Sequence, residues 1–224
     1  MQGRKIIVTG AFGALGRAVV QALAQAGARV AAVDAVAPPA GFGADVVIGQ
    51  VDLADATAAQ TAVAQAVQKL GGLDGLVNVA GTFRWETVEG GSVDTWDLLY
   101  RINVRTALNA SRAALTALQD GGAIVNVGAG AAAKAAAGMG AYTASKAGVA
   151  KLTEALADEL KDKGIRVNAV LPSIIDTAAN RQDMPDADYS RWVAPDALAD
   201  AIVFLLSTQA RAITGASLSV NGRM

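Results

Sequence analysis

A doubly wound α/β fold, with a parallel sheet of about seven strands and helices on both faces, is what this sequence predicts. Three observations carry it. Short β-branched runs alternate with longer Ala/Leu-rich stretches along the whole chain, the mark of strands buried on both sides by covering helices. A glycine-rich turn follows the first run, and an acidic residue, Asp34, ends the second.

Taken in order, the first strand is Lys5–Thr9, followed by a helix at Leu15–Ala26 and a second strand at Arg29–Val33. Asp45–Gln50 reads as the third strand, Ala56–Leu70 as a helix and Gly75–Asn78 as the fourth strand. One long helix is expected over Val93–Leu118, then a strand at Ala123–Val127, a helix at Ala141–Lys161 and a strand at Arg166–Val170. Pro195–Leu206, with Pro at its start, is the last helix, and Ser217–Val220 the last strand. The Ala/Gly-rich stretch Gly128–Gly140 reads either as a flexible linker or, joining strand to helix, as the border of a binding site, and the second reading is preferred.

The 224 residues are 53% hydrophobic, enough to bury one core, so a single domain over 1–224 is expected. No repeat of 20–50 residues interrupts it. Lys and Arg total 19 against 20 Asp and Glu, which leaves no field to attract nucleic acid or an anionic membrane. Histidine and cysteine are both absent, which excludes thiol nucleophiles, Ser-His-Asp triads, Cys/His metal sites and disulfides. Acid/base work falls to Tyr, Lys, Asp or Glu. No secretory leader is read at the start and no apolar stretch is long enough to span a bilayer, so a cytoplasmic protein is expected.

Thr9-Gly10-Ala11-Phe12-Gly13-Ala14-Leu15-Gly16 links the first strand to the first helix. There, backbone N–H groups can meet a pyrophosphate, and glycine permits the tight turn and close approach. Asp34 stands about twenty residues further on, placed to accept hydrogen bonds from adenosine ribose hydroxyls rather than serve only as a turn residue. Its charge would repel a 2′-phosphate, and no Lys or Arg follows closely to relieve this, so NAD is the expected cofactor. Asp52 either meets the adenine edge or caps the helix that follows. Asn78-Val79-Ala80-Gly81 ends the fourth strand, where a ligand of a parallel sheet would lie.

Tyr142 and Lys146 share one face of a predicted helix. An ammonium beside a phenol stabilises phenolate, so the Tyr142 pKa is expected to fall toward the working pH and make it a general acid/base.

Together these residues resemble the short-chain dehydrogenase/reductase family, along with Asn103, the run Tyr142-Thr143-Ala144-Ser145-Lys146, and Arg166-Val167-Asn168 leading to Pro172 and Thr177. The resemblance spans essentially the whole chain. It implies a Rossmann-type fold in which Tyr142 transfers a proton, Lys146 holds the nicotinamide ribose and tunes Tyr142, and Asn103 supports a water-linked proton path. It implies an NAD site formed by Gly10, Phe12, Gly13, Ala14, Leu15 and Gly16, by Asp34, Asp52 and Leu53, and by Val79, Ala80 and Gly81. Pro172, Ile175 and Thr177 would complete it with Tyr142 and Lys146, Ile175 and Thr177 anchoring the carboxamide. Pairing of the helices Val93–Leu118 and Ala141–Lys161 between subunits, in a homodimer or homotetramer, is also implied.

Four positions depart from the family pattern: Ala14 for a glycine, with Gly13 one place earlier; Val79 for Asn; Ser173 for Gly; and Ala129 for the serine that polarises a carbonyl. The first should alter the loop's geometry. Losing such a donor costs on the order of 10²–10³ in rate for acyl-transfer oxyanion holes, so a substrate that needs little polarisation is expected. Gly13-Ala14-Leu15-Gly16, Ala129, Gly138-Met139 and the stretch Leu171–Trp192 are similar to the dihydropteridine reductase branch. The expected activity is NADH-dependent hydride transfer to a small conjugated or quinonoid substrate such as a quinonoid dihydropterin. A general carbonyl reductase or alcohol dehydrogenase is the alternative, and a catalytically silent NADH-binding protein the alternative of another class. Phe83, Trp85, Trp96, Tyr189 and Trp192 are candidate pocket walls, with core or rim packing preferred for Trp96.

Overall fold

The structure is a computed structural model that describes residues 1–224. Seven parallel strands form one sheet in the order β3-β2-β1-β4-β5-β6-β7. They are β1 Lys5–Thr9, β2 Arg29–Val33, β3 Val46–Ile48, β4 Leu73–Asn78, β5 Leu118–Val127, β6 Arg166–Pro172 and β7 Ser217–Val220. The α-helices are α1 Ala14–Gln25, α2 Ala56–Leu70, α3 Val93–Tyr100, α4 Thr106–Ala114, α5 Gly140–Leu160, α6 Ala178–Asp183 and α7 Pro195–Leu206.

Strand alternation assigns the two cores. Ile6 and Val8 of β1 join α1 (Val19, Leu23) and α7 (Leu198, Ile202) on one face. Ile7, between them, joins Val63 of α2, Ala110 of α4 and Leu156 of α5 on the other. Ile6 and Ile7 are both fully buried, and each such side chain stabilises the fold by about 1.5–3 kcal/mol. The strand order reverses between β1 and β4, so the loops leaving their carboxyl ends diverge and open the crevice where ligands of such sheets bind.

Local chemistry sets the boundaries. Asp55 caps α2 by accepting from the Ala58 N–H at 2.7 Å, and Gly71 closes that helix in the left-handed region at φ 76°. Asp45, expected in the third strand, instead turns its carboxylate onto the Val30 N–H at 2.7 Å, and β3 begins one residue later. The long helix expected over Val93–Leu118 is interrupted. A π-turn, Arg101–Arg105, separates α3 from α4, with the Thr106 hydroxyl donating to the Ile102 carbonyl at 2.6 Å. Leu118 leaves helix altogether to pair with Leu73, opening β5 ahead of the expected Ala123. An apolar period cannot register a one-residue widening of a helix, which here serves a side chain, Asn103, rather than the core.

Candidate active site

Five of the segments singled out in the sequence leave the carboxyl ends of strands: Gly10–Gly16 after β1, Asp34 after β2, Val79–Gly81 after β4, Ala129 after β5 and Ser173–Thr177 after β6; Asn103, Tyr142 and Lys146 come from the π-turn and α5. Gly10 has φ +61°, and a Cβ there would lie 2.7 Å from the Ala80 backbone. At Gly16 a Cβ would meet the Gly10 carbonyl oxygen at 2.1 Å. Gly10 thus seats the loop against the segment after β4, and Gly16 seats α1 against the loop's own backbone. Gly13 is different: the nearest atom to an added Cβ is 3.5 Å away, so its backbone could carry a side chain. It is the N-cap of α1 and supplies no side-chain cap; the N–H groups of Ala14 and Leu15, in the first turn, are left for an anion.

Asp34, half-buried, accepts from the Phe12 N–H at 2.8 Å and the Val36 N–H at 3.3 Å. Arg17 donates its Nε to the Phe12 carbonyl at 2.7 Å, and its guanidinium lies 5.9 Å from the Phe42 ring centroid. Phe12 itself is buried edge-on against Phe42 at 4.8 Å. Expected among the dinucleotide contacts, Phe12 therefore has both backbone groups and its ring committed within the protein, and it shapes the loop rather than offering a donor. Arg17 was not singled out in the sequence because it comes from α1, not from the residues after Asp34.

Asp52 does not cap α2; Asp55 does. Its carboxylate accepts from the Ala54 N–H at 2.9 Å and pairs with Arg101 of the π-turn. Leu53 is buried, and its carbonyl accepts from Asn109 at 3.0 Å. Asp52 is thus tied to the π-turn that carries Asn103, and Leu53 to α4.

The corner around Tyr142 is built from four segments: the loop after β4, the π-turn, α5 and the end of β5. Asn103, fully buried, accepts the Thr82 N–H at 2.7 Å and donates to the Thr82 carbonyl at 3.0 Å and to the Ser145 hydroxyl at 2.8 Å. Ser145 passes its own proton to the Tyr142 carbonyl at 2.7 Å. Both amide N–H groups of Asn103 are used, so its side chain joins the turn carrying Tyr142 to the loop after β4. Lys146, also buried, donates to the Val127 carbonyl at 2.8 Å. A Cβ on Gly81 would come within 2.9 Å of Asn103 Oδ1 and 3.3 Å of Lys146 Nζ, which is why glycine stands where these groups converge. Ser145 and Thr82 lacked any sequence signal beyond their place in the motifs, since their value lies in contacts between distant segments.

The expected fall in the Tyr142 pKa is not found. Burial pushes the phenol up to about 12 and the Lys146 ammonium down to about 8, because both charged forms lose hydration. Tyr142 is held as a protonated donor. Phe83 packs edge-on against it, ring centroids 4.9 Å apart. Ala129 is buried after β5; its methyl brings no hydroxyl there.

Thr177 caps α6 by accepting the Asn180 N–H at 3.2 Å, and Asn180 donates to the Ile175 carbonyl at 2.8 Å. Ile175 bridges Val193, and Pro172 is the buried end of β6. Of the remaining candidate walls, Trp96 packs at the rim over Gly140 and Trp85 over Gly138, donating to the Ala137 carbonyl at 3.1 Å. Trp192 is buried against Tyr189.

Comparison with known proteins agrees with the fold. The short chain dehydrogenase family model matches residues 4–188. The chain is 34% identical over 257 residues to 2-(S)-hydroxypropyl-CoM dehydrogenase 3 of Xanthobacter autotrophicus, covering 100% of this chain and 97% of that protein. D-threitol dehydrogenase of Mycolicibacterium smegmatis is 34% identical over 245 residues, covering 99% and 93%. A short-chain dehydrogenase from Burkholderia cenocepacia, solved in complex with NADP, superposes with a TM-score of 0.89 at 34% identity, over 99% of this chain and 97% of that one.

Proposed function

The chain belongs to the short-chain dehydrogenase family and is an oxidoreductase of small molecules, and from that premise we propose that it is an NADH-preferring reductase of conjugated or quinonoid substrates, a quinonoid dihydropterin being the type. One observation carries the reading: a buried methyl, Ala129, stands at the position where the family has the hydroxyl that polarises a carbonyl.

When bound, a nicotinamide dinucleotide supplies the hydride. The protein's own part is to bind and to donate a proton. Gly10–Gly16 offers α1's uncapped N–H groups to the pyrophosphate, Asp34 accepts from ribose hydroxyls, and Asp52 with Leu53 borders the adenine. Val79, Ala80 and Gly81 line the floor, and Pro172, Ile175 and Thr177 hold the nicotinamide side; the Thr177 oxygen accepts from Asn180, so its proton remains free to donate. Lys146 is placed to exchange the Val127 carbonyl for a ribose hydroxyl. Tyr142 donates its phenolic proton to the atom on which negative charge builds. A ring that regains conjugation on hydride addition spreads that charge, so a second donor at position 129 is dispensable. Phe83, edge-on to Tyr142 and exposed on its outer side, offers such a ring an apolar wall. The preference for NADH is supported by Asp34, whose carboxylate would oppose a 2′-phosphate. A homodimer or homotetramer pairing through the α3–α4 and α5 helices is part of the same proposal, supported by the exposed Val93, Trp96 and Tyr100 on α3; light scattering that shows only monomer would sink it.

The test is NADH oxidation with a quinonoid dihydropterin generated in situ, corrected for the uncatalysed rate, in wild type and Ala129→Ser. Rapid wild-type turnover, with simple ketones reduced only after Ala129→Ser, is expected. Wild type already fast on simple ketones would favour the second reading, a general alcohol dehydrogenase or carbonyl reductase, to which the dehydrogenase names of the relatives incline.

A further inference from the structure

The segment from Ser173 to Val193 carries the residues assigned to the nicotinamide; its end, Trp192 and Val193, is buried and Ile175 packs against the core, but what lies between is held at the surface. Neither α6 nor the 3₁₀ turn Tyr189–Arg191 has a buried residue. Its order comes instead from a relay of contacts. Asp176 and Arg181 form a two-pronged pair at 2.6 and 2.7 Å. Arg181 lies 4.7 Å from the centroid of Tyr189, and Tyr189 packs 4.8 Å from Trp192. Val193 then donates to the Ile174 carbonyl at 2.9 Å, and Asp176 to the Val193 carbonyl at 2.8 Å.

The relay ends on the turn Asn221–Met224. Arg223 N–H donates to the Arg191 carbonyl at 2.9 Å, and the Arg191 guanidinium returns two hydrogen bonds to the Arg223 carbonyl at 3.2 and 3.0 Å. Gly222, at φ +61°, fits so closely that a Cβ would sit 2.7 Å from the Arg191 carbonyl oxygen and 3.2 Å from that of Trp192. The other side of the turn grips the start of the same segment: Ser173 donates its hydroxyl to the Asn221 carbonyl at 2.9 Å and its N–H to the Val220 carbonyl at 3.1 Å. Ser173 is one of the positions that departs from the family glycine, and this bond gives the departure a use.

We propose that the turn Asn221–Met224 is a strap that sets the nicotinamide side of the active site, with Arg191, Gly222 and Ser173 as its positioning residues. It fixes both ends of one segment, so Ile175 and Thr177 between them take a single placement. The inference rests on the assignment of that segment to the nicotinamide. Arg191 and Gly222 are exposed, so altering them leaves both cores intact.

The two halves of the dinucleotide separate strap from scaffold. Binding of NADH and of ADP-ribose, which lacks the nicotinamide, is measured by calorimetry on wild type, Arg191→Ala, Arg191→Lys and Gly222→Val. Arg191→Ala and Gly222→Val are expected to weaken NADH roughly five- to tenfold, as for the loss of one or two hydrogen bonds, while ADP-ribose stays within about twofold of wild type. Arg191→Lys should recover part of the difference. Backbone hydrogen exchange over 174–193 should quicken in the same two variants and nowhere in β1, β2 or β4. If wild type binds NADH tighter than ADP-ribose and Arg191→Ala keeps that whole advantage, the strap is wrong and the assignment of the segment stands. If wild type shows no advantage for NADH, both fall.

Discussion

The loop after β1 and the corner around Tyr142 both serve a reaction, but they are held by different physics. The phosphate loop is a backbone device: Gly10 and Gly16 are defined by the atoms a Cβ would strike, and α1 contributes N–H groups that belong to any helix start. The Tyr142 corner is a side-chain device, in which Thr82, Asn103, Ser145, Lys146 and Val127 meet from the loop after β4, the π-turn, α5 and β5. A backbone device tolerates no added atom at its contact points and is indifferent to most side chains. A side-chain device tolerates modest reshaping, but the chemistry of each member is set by burial that no single segment determines.

The sharpest way to break that comparison is at Gly16. With the Gly10 carbonyl oxygen 2.1 Å from a would-be Cβ and the Ala11 Cα at 2.7 Å, Gly16→Val must displace the loop, and loss of detectable NADH binding by calorimetry is expected. Gly13→Ala, whose Cβ meets nothing closer than 3.5 Å, should fold normally and bind NADH within a few-fold of wild type. Equal damage at both positions would show that the glycine content, not the contacts, governs the loop.

Next in size is Tyr142→Phe. It removes the proton donor and leaves the ring against Phe83, so turnover should fall by roughly 10²–10⁴ while NADH affinity stays near wild type in a binding titration. Turnover retained to within tenfold would take the proton role away from Tyr142. Asn103→Ala acts through the same corner but indirectly: it frees the Ser145 hydroxyl and the Thr82 backbone.

This division also explains what the sequence made legible. β1, β2, β7, α2 and α7 were expected at their observed bounds, because uninterrupted β-branched runs, Asp55, Gly71 and Pro195 are local signals. Asp34, Tyr142, Lys146 and Asn103 were found from spacing and resemblance. The Arg101–Asp52 pair and the Asn103–Ser145 link were not, because each joins segments far apart in the chain, and the π-turn was not, because it leaves no mark on the apolar period. The direction of the Tyr142 shift was misjudged for the same reason: a Lys four residues away is visible in sequence, whereas the desolvation that outweighs it, and the Val127 carbonyl that engages the Lys, are properties of the packed site.

Burial of Lys146 has a consequence for stability that the phosphate loop cannot share. Its folded pKa, about 8, lies below the ordinary lysine value of 10.5, so between those values the unfolded chain binds the extra proton. Stability therefore rises with pH across that window, and below pH 8 the full cost of the buried ammonium, on the order of 3 kcal/mol, is present. Tyr142 acts in the opposite sense at higher pH: its folded pKa of about 12 exceeds the usual 10, and the stability it confers is lost as pH rises from 10 to 12. Lys146→Met should be more stable than wild type at pH 6.5 in urea, with the gap shrinking by pH 9.5. A gap independent of pH would mean that the Lys146 charge is solvated rather than buried.

The smallest effect expected is at the junction of the two regions, Asp34. Its carboxylate belongs to a side chain but acts on the loop, holding the Phe12 N–H while Arg17 holds the Phe12 carbonyl. Asp34→Asn keeps an oxygen for that N–H and removes the charge, so the loop should persist while the bar to a 2′-phosphate is lowered. A unit charge a few ångströms from a phosphate near the surface contributes about 1–3 kcal/mol. The ratio of kcat/KM for NADH over NADPH should therefore fall roughly tenfold, or further if the Arg17 guanidinium turns to the phosphate. An unchanged ratio would mean that the half-buried carboxylate is spent on Phe12 and Val36 alone, making Asp34 a part of the backbone device and no judge of the cofactor.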